Sequence, residues 1–288
     1  MKTLKIGGVP EHFNLPWHKC IEEGKFEEKN IKVVWQEIPE GTGAMCKALR
    51  NEELDAAVIL TEGITRDIIN GNPSVIIQKY IASPLIWGIH VNASSPYKNL
   101  KDLKGTTAAI SRKGSGSHLM AYVNAQHLDW DTSKLKFEIV NNLDGAIEAL
   151  QEDKAQYFMW EHFTTKPLVD NKNFRLIADC PTPWPCFVIA ASSKAIKESS
   201  EELATMLQVL NGETHNFKLQ KNIDVELSQR YGQKLEDIRK WLDLTRWSQD
   251  QIEENDIEAV MEQLLELNLI SKKTNPEKII YNLEQSNN

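Results

Sequence analysis

The sequence predicts an α/β protein of two lobes with a helical C-terminal region. Three observations carry that prediction. Strand and helix signals alternate from the first residues, the alternation restarts after Pro96, and beyond Ser192 strand signals give way to helices. Alternation of this kind is the pattern of α/β folds with a largely parallel sheet.

The elements follow in order. Residues 4–9 are a β-rich run, 13–25 read as a helix and 31–38 as a strand. Residues 41–51 open with glycines and become helical, 56–60 (AAVIL) have the short apolar character of a buried parallel strand, 61–70 are helical and 75–81 form a strand. After Pro96 come a short helix at 99–104, a strand at 106–110, a glycine-serine loop, and a helix to about 128. A strand at 137–140, a helix at 144–151, a strand at 157–160, a helix at 164–169 and strands at 174–178 and 187–191 complete the alternating part. In the C-terminal region Leu203, Met206, Leu207 and Leu210 share one helix face, as do Ile257, Val260, Met261, Leu264 and Leu265. Such stripes at helical period are core faces.

Composition excludes several functions. The 288 residues are 41% hydrophobic and 26% charged, with a net charge of −8 and no basic block, so nucleic acid and anionic membrane are not expected partners. No apolar run is long enough to span a bilayer. The N-terminus lacks the apolar core of a signal peptide and reads directly as a strand, which predicts a cytoplasmic protein, or a periplasmic one if a leader has been removed. Cys20, Cys46, Cys180 and Cys186 make no C-x-x-C pair, so reduced thiols, no metal site and no cofactor are expected.

One internal echo stands out. Ala48-Leu49 through Asp55 and on to Glu62 is matched by Ala149-Leu150 through Gln156 and on to Glu161: a helix end, a polar turn, a short buried strand, then a polar residue where that strand ends. Ligands of open α/β sheets sit at the carboxyl ends of strands. The echo, with Asn99-Leu-Lys-Asp-Leu-Lys-Gly105 and Lys113-Gly-Ser-Gly-Ser-His118, resembles the type 2 periplasmic-binding-protein-like superfamily over roughly residues 1–195. Within it the chain is similar to the branch that binds nitrate, taurine, alkanesulfonates and thiamine pyrimidine precursors. The stretches 160–167 (WEHFTTKP) and 183–187 (PWPCF) resemble those of a soluble subfamily. The resemblance implies one lobe of residues 1–88 plus 192–288 and another of 93–188, with the chain crossing near 88–92 and 188–192 and closing on a ligand by hinge motion. The chain departs from transporter components in showing no export signal or lipidation cysteine near its start, which weighs against a transporter partner. It also lacks the cysteine cluster of related pyrimidine synthases that use pyridoxal phosphate, so that chemistry is not expected.

The residues themselves suggest where a ligand sits. In RKGSGSHLMAYV (112–123) two cations precede two glycines, two serines and a histidine at a helix start. Four unpaired N–H groups and about half a positive charge stand at such a terminus. Ser115, Gly116, Ser117 and His118 therefore suit an anion or a polar heterocycle edge, while helix capping by serine is the plainer alternative. After the first strand, Glu11, His12, Asn14 and Trp17 line a rigid loop. Gly41, Thr42 and Gly43 repeat the small-residue logic after the second strand, and Glu62 ends the third. In the second lobe Trp160 and Glu161 end a strand, and Trp184 stands between two prolines where it can stack on a planar ring.

The leading function is binding of a small polar or planar organic molecule between the lobes. The alternative is an enzyme on the same fold, with lyase-type acid–base chemistry from Glu161 or Glu62 beside His12, His18 or His162. No G-x-S-x-G elbow and no H-E-x-x-H is present to support a hydrolase.

Overall fold

Unit 1 owes its centre to two adjacent strands buried along all or nearly all of their length. The computed structural model describes residues 1–283 and divides into two compact units. Unit 1 holds residues 1–83 and the described residues from 184 onward; unit 2 holds residues 84–183. In unit 1 the strands are β1 (Lys2–Gly8), β2 (Ile31–Glu37), β3 (Ala56–Leu60) and β4 (Val75–Ile81). In unit 2 they are β5 (Ile86–Asn92), β6 (Thr107–Ile110), β7 (Lys136–Ile139), β8 (Tyr157–Glu161) and β9 (Phe174–Pro181); β10 (Phe187–Ala191) returns to unit 1. Every residue of β10 and the first four of β3 are buried, the signature of strands covered on both faces.

The two sheets share one topology. Unit 1 has the order β2-β1-β3-β10-β4 and unit 2 the order β7-β6-β8-β5-β9. In each, three parallel strands are followed by an antiparallel one, β10 against β3 and β4, or β5 against β8 and β9. The sheets are thus mixed, where the sequence suggested largely parallel ones. Both antiparallel strands come directly after the chain passes from one unit into the other, at 83/84 and at 183/184.

These passages lie earlier than the sequence placed them. Residues 88–92 and 188–192 do not form crossings, because 88–92 is the second half of β5 and 188–191 is most of β10, each strand paired on both sides. Strand β5 is the element that sequence reading missed. Its run IWGIHVN carries a glycine and a histidine, and His90 is nonetheless fully buried.

The helices of the alternating part are α1 (Leu15–Glu22), α2 (Thr42–Arg50), α3 (Thr61–Ile69), α4 (Gly116–His127), α5 (Leu143–Gln151) and α6 (His162–Asp170). The internal echo is therefore α2–β3 in unit 1 and α5–β8 in unit 2, at equivalent places in the two sheets. The core of unit 2 is packed around Phe158, Phe174, Leu150 and Val140.

The C-terminal helices are α7 (Ser193–Glu198), α8 (Ser200–Asn216), α9 (Ile223–Tyr231), α10 (Leu235–Leu244) and α11 (Glu254–Glu266). Leu203, Met206, Leu207 and Leu210 are buried as their spacing predicts, and so are Ile257, Val260, Met261 and Leu264. Leu265 lies at the margin of its stripe and is 37% exposed. Between α10 and α11, and again after α11, the chain runs along the outer edge of β4. Ser248 donates its N–H to the Tyr80 carbonyl, and Tyr281 to that of Ile76. These stretches cover a row of backbone groups that an edge strand otherwise presents to other chains.

Leu150→Ala is expected to cost unit 2 about 2–5 kcal/mol, the range for a truncated core leucine. Hydrogen exchange should show faster opening of β6 and β8 amides while β1 and β3 keep their protection; equal loss in both sheets would contradict two separately packed cores.

Candidate functional site

In unit 1 the loop after β1 is fixed before any ligand is considered. The Phe13 carbonyl accepts from the Tyr80 hydroxyl at 2.7 Å and from the Trp247 indole at 3.2 Å. Asn14 donates its side-chain amide to the Val9 carbonyl at 2.8 Å. Gly8, the last residue of β1, lies under the Trp35 ring: a Cβ there would stand 2.4 Å from the ring and 3.1 Å from Asn14 Nδ2. Trp35 and Asn14 are thereby brought together at the carboxyl end of β1. Trp35 was not among the expected residues; the Gly7-Gly8 pair ending the first strand was the signal for a close approach.

The next two strand ends add to this edge. Gly41 has φ +76° and ψ −158°, a region essentially open to glycine alone, and it leads into α2 at Thr42. The Thr42 methyl packs so closely on Gly63 that a Cβ there would lie 2.3 Å away. At the end of β3, Thr61 donates its hydroxyl to the Pro185 carbonyl at 2.5 Å. Glu62 accepts the Trp184 indole N–H on Oε2 at 3.0 Å. Glu62 is 2% exposed, and burial pushes its carboxyl up to about 7.

Three polar atoms at this edge are buried without a hydrogen-bond partner among the described residues: Asn14 Oδ1, Trp35 Nε1 and Glu62 Oε1. Buried polar groups are satisfied in the great majority of cases, so each of these calls for an explanation.

Other expected residues of unit 1 have different roles. His12 is 1% exposed, and its ring stacks on Trp241 at 4.1 Å and leans on Phe13 and Tyr231. Burial among these rings lowers its pKa to about 3, so it stays neutral. Trp17 is fully buried against Phe26, Trp35 and Tyr80. Both rings pack among other aromatic side chains, and His12 Nε2 and Trp17 Nε1 are buried without a hydrogen-bond partner among the described residues. Glu11 and Gly43 are partly exposed on loop and helix start. His18 pairs with Glu37 at 3.3 Å at the end of β2.

In unit 2 the glycine-serine loop is largely self-satisfied. Ser115 caps α4 by accepting the His118 N–H. Ser117 Oγ accepts the Ser111 N–H at 3.0 Å and lies 3.0 Å from Ser115 Oγ. The Gly114 N–H is donated to His118 Nδ1 at 3.0 Å, and the His118 ring packs edge-on against Tyr122 and Phe137. Capping thus accounts for much of what the hydroxyls do. The amides of Gly116 and Ser117, in the first turn of α4, precede any intrahelical acceptor, with Arg112 and Lys113 beside them in sequence.

Glu161 likewise has a local task. It is 4% exposed and caps α6 by accepting the Thr164 N–H at 2.6 Å, while burial raises its pKa. Across the ladder it faces Trp87, whose indole N–H is buried without a partner among the described residues. Trp160 next to it is half-buried. His162 pairs with Asp179 at 2.7 Å, which raises its pKa. The partners found for Glu62, Glu161, His12, His18 and His162 are thus Trp184, Thr164, aromatic rings, Glu37 and Asp179. Among the described residues no group of three or more His, Cys, Asp or Glu side chains is placed to hold a metal ion, and no helix is long and apolar enough to cross a membrane.

The arrangement can be compared with known proteins. A family model described as Ca3427-like PBP matches residues 87–180, most of unit 2. The Candida albicans CA3427 gene product, which defines a family with the generic periplasmic binding protein fold, superposes with a TM-score of 0.88 at 24% identity, over 98% of this chain and 96% of that one. The chain has the periplasmic-binding-protein fold. Other proteins of this fold are also similar. The periplasmic aliphatic sulphonate binding protein SsuA of Escherichia coli gives 0.74 at 16% identity, over 98% and 92% of the two chains. The alkanesulfonate-binding protein SsuA of Xanthomonas axonopodis pv. citri, bound to MOPS, gives 0.80 at 14%, over 98% and 99%. A search of curated protein sequences finds no match.

Two buried groups make stability depend on pH with opposite signs. Glu62 has a folded pKa of about 7, above the ordinary 4.5 of a free glutamate, so its contribution is full below about pH 4.5 and is lost as pH rises through 7. His12 has a folded pKa of about 3, below the ordinary 6.5 of a free histidine, so its contribution is lost as pH falls from 6.5 towards 3. Urea unfolding of Glu62→Gln at pH 5 and pH 8 should show a smaller loss of stability between the two than the unaltered protein. An identical loss would mean that Glu62 does not carry the raised pKa.

Proposed function

We propose that the protein binds a small polar or planar organic molecule, an organic anion or a thiamine-pyrimidine-like heterocycle, at the carboxyl-edge loops of its sheets, and encloses it by hinge closure. The observation that carries this reading is the gathering of buried, unpartnered polar atoms at one edge of the unit 1 sheet: Asn14 Oδ1, Trp35 Nε1 and Glu62 Oε1. Buried polar atoms are satisfied in the great majority of cases, and three left unpartnered at neighbouring strand ends, two of them acceptors, suit the polar groups of a ligand. Their place agrees with the general location of ligands at strand ends in open α/β sheets.

The roles divide by unit. In unit 1, Asn14 and Glu62 hydrogen-bond the ligand, Thr42 and the backbone of Gly41 and Gly43 border it, and Trp35 offers a flat wall. Trp184 holds the Glu62 carboxylate in place. In unit 2, the first-turn amides of α4 at Gly116 and Ser117 take a polar or negative end of the ligand, on a loop that Ser115 and His118 keep in shape. Trp87 and Trp160 border that side. The hinge consists of the two passages, 83/84 and 183/184, each with a proline beside it, Pro84 and Pro183. The likeness to sulfonate-binding proteins supports small-molecule binding as the use of this fold.

Native mass spectrometry of protein freshly purified from its own cells, set against the denatured chain mass, is expected to show a discrete non-covalent adduct. Adding that compound back to stripped protein should reduce the radius of gyration in small-angle scattering. A clean apo mass, with no compound from a cell extract restoring an adduct, would overturn the reading.

A further inference from the structure

We propose that the unit 1 edge is built for a ligand group rich in hydrogen-bond donors, a planar amidine-like or aminated nitrogen base, and disfavours a sulfonate in that position. The proposal deepens the binding function above and rests on it.

The argument comes from which atoms are spent and which are left. A carbonyl oxygen only accepts, so the Val9 carbonyl must face the NH2 of Asn14, and this fixes the amide orientation. Asn14 Oδ1 is left, on a side chain 1% exposed, without a partner among the described residues. An indole N–H only donates, so the Trp184 ring takes Oε2 of Glu62 as its acceptor. Oε1 is left, on a side chain 2% exposed. The atoms remaining are thus two acceptors, one of them a carboxylate oxygen. The third orphan, Trp35 Nε1, is the one donor of the set.

Asn14 and Glu62 belong to the ends of neighbouring parallel strands. Asn14 lies against Gly8 at the end of β1, Glu62 follows the end of β3, and β1 and β3 pair at Ile6–Ala56 and Gly7–Ala57. A sulfonate brings three acceptor oxygens and no donor, so it would set acceptor against acceptor at both atoms. An amidine brings N–H groups in one plane, the geometry that pairs with a carboxylate oxygen. The Trp35 ring, pressed on Gly8, gives such a plane a surface to lie along.

The test uses two probes with the same ring and opposite hydrogen-bonding character, benzamidine and benzenesulfonate, titrated into the ligand-stripped full-length protein by calorimetry at pH 7.5. Benzamidine is expected to bind about ten-fold or more tightly than benzenesulfonate. This wild-type preference tests the proposal without any variant. Glu62→Gln supplies the second arm. Glutamine retains an oxygen for the Trp184 indole and turns an NH2 group towards the ligand, so benzamidine should weaken by about ten-fold or more. Benzenesulfonate binding should hold or improve, which a misfolded variant could not do.

Equal or tighter binding of benzenesulfonate by the wild-type protein overturns the donor preference and leaves the small-molecule function standing. Unchanged benzamidine binding in Glu62→Gln overturns it too. Failure of both probes, with a native adduct present, overturns the ligand class; failure of both with no adduct removes the binding function itself.

Discussion

The structure depends on a strand that unit 1 receives only after the chain has passed through unit 2. The stretch of chain that begins the unit 1 sheet does not complete it, whereas all five strands of the unit 2 sheet come from one continuous stretch. Strands β1 to β4 leave a gap between β3 and β4, and β10 fills it after the chain has traversed unit 2. In unit 2 the corresponding place is taken by β5, the first strand laid down after the first passage. Each insertion is antiparallel to both neighbours and buried almost throughout. An inserted strand satisfies the backbone groups of two neighbours at once, and an unfilled gap would leave both rows unpaired in the interior. Two passages of the chain, and no fewer, follow from this constraint.

The same constraint places the candidate site. The chain re-enters unit 1 at Trp184, between Pro183 and Pro185, immediately before β10 pairs with β3. Re-entry therefore occurs at the carboxyl end of β3, where Thr61 holds the Pro185 carbonyl and Trp184 holds Glu62. A carboxylate beside such a passage is drawn from water, with its own backbone N–H and the Trp184 indole as donors. Burial outweighs these hydrogen bonds, which is why its pKa rises. The other side of the edge is braced from a distant part of the sequence. Tyr80 and Trp247 clamp the Phe13 carbonyl, so the loop holding Asn14 is shaped by the C-terminal return along β4.

Much of this architecture was legible in the sequence because it is local. The apolar run at 56–60 and the one at 187–191 name their own strands, and they form β3 and β10 with those bounds. The echo between residues 48–62 and 149–161 anticipated two sheets of one topology, since a repeated helix–turn–strand unit is a repeated local pattern. Strand β5 was not legible. It carries Gly88 and His90 in a run that reads as a connection, and only its pairing with β8 and β9 makes those residues interior. The direction of β10 was hidden for a related reason: a buried strand looks alike from its composition whether its neighbours run with it or against it.

The site was legible in its place and less so in its members. Strand ends can be located from pattern, but whether a polar side chain there is free for a ligand depends on tertiary partners. Ser115, Ser117, His118 and Glu161 carry suggestive residue types, and the fold gives them one another and helix amides as partners. His12 and Trp17 carry equally suggestive types and are enclosed by rings from α10 and from the unit 1 core. Trp35 drew no notice and ends with its indole N–H buried and unspent. The distinction between these cases is one of accounting for each donor and acceptor. A hydrogen bond already made within the protein contributes modestly to stability, and breaking it for a ligand returns little. An acceptor already stripped of water by folding has borne its desolvation cost, so a donor arriving there gains nearly the whole interaction. Affinity is thus expected to concentrate on Asn14 and Glu62, and residue type alone is a poor guide to which polar groups of this chain a ligand meets.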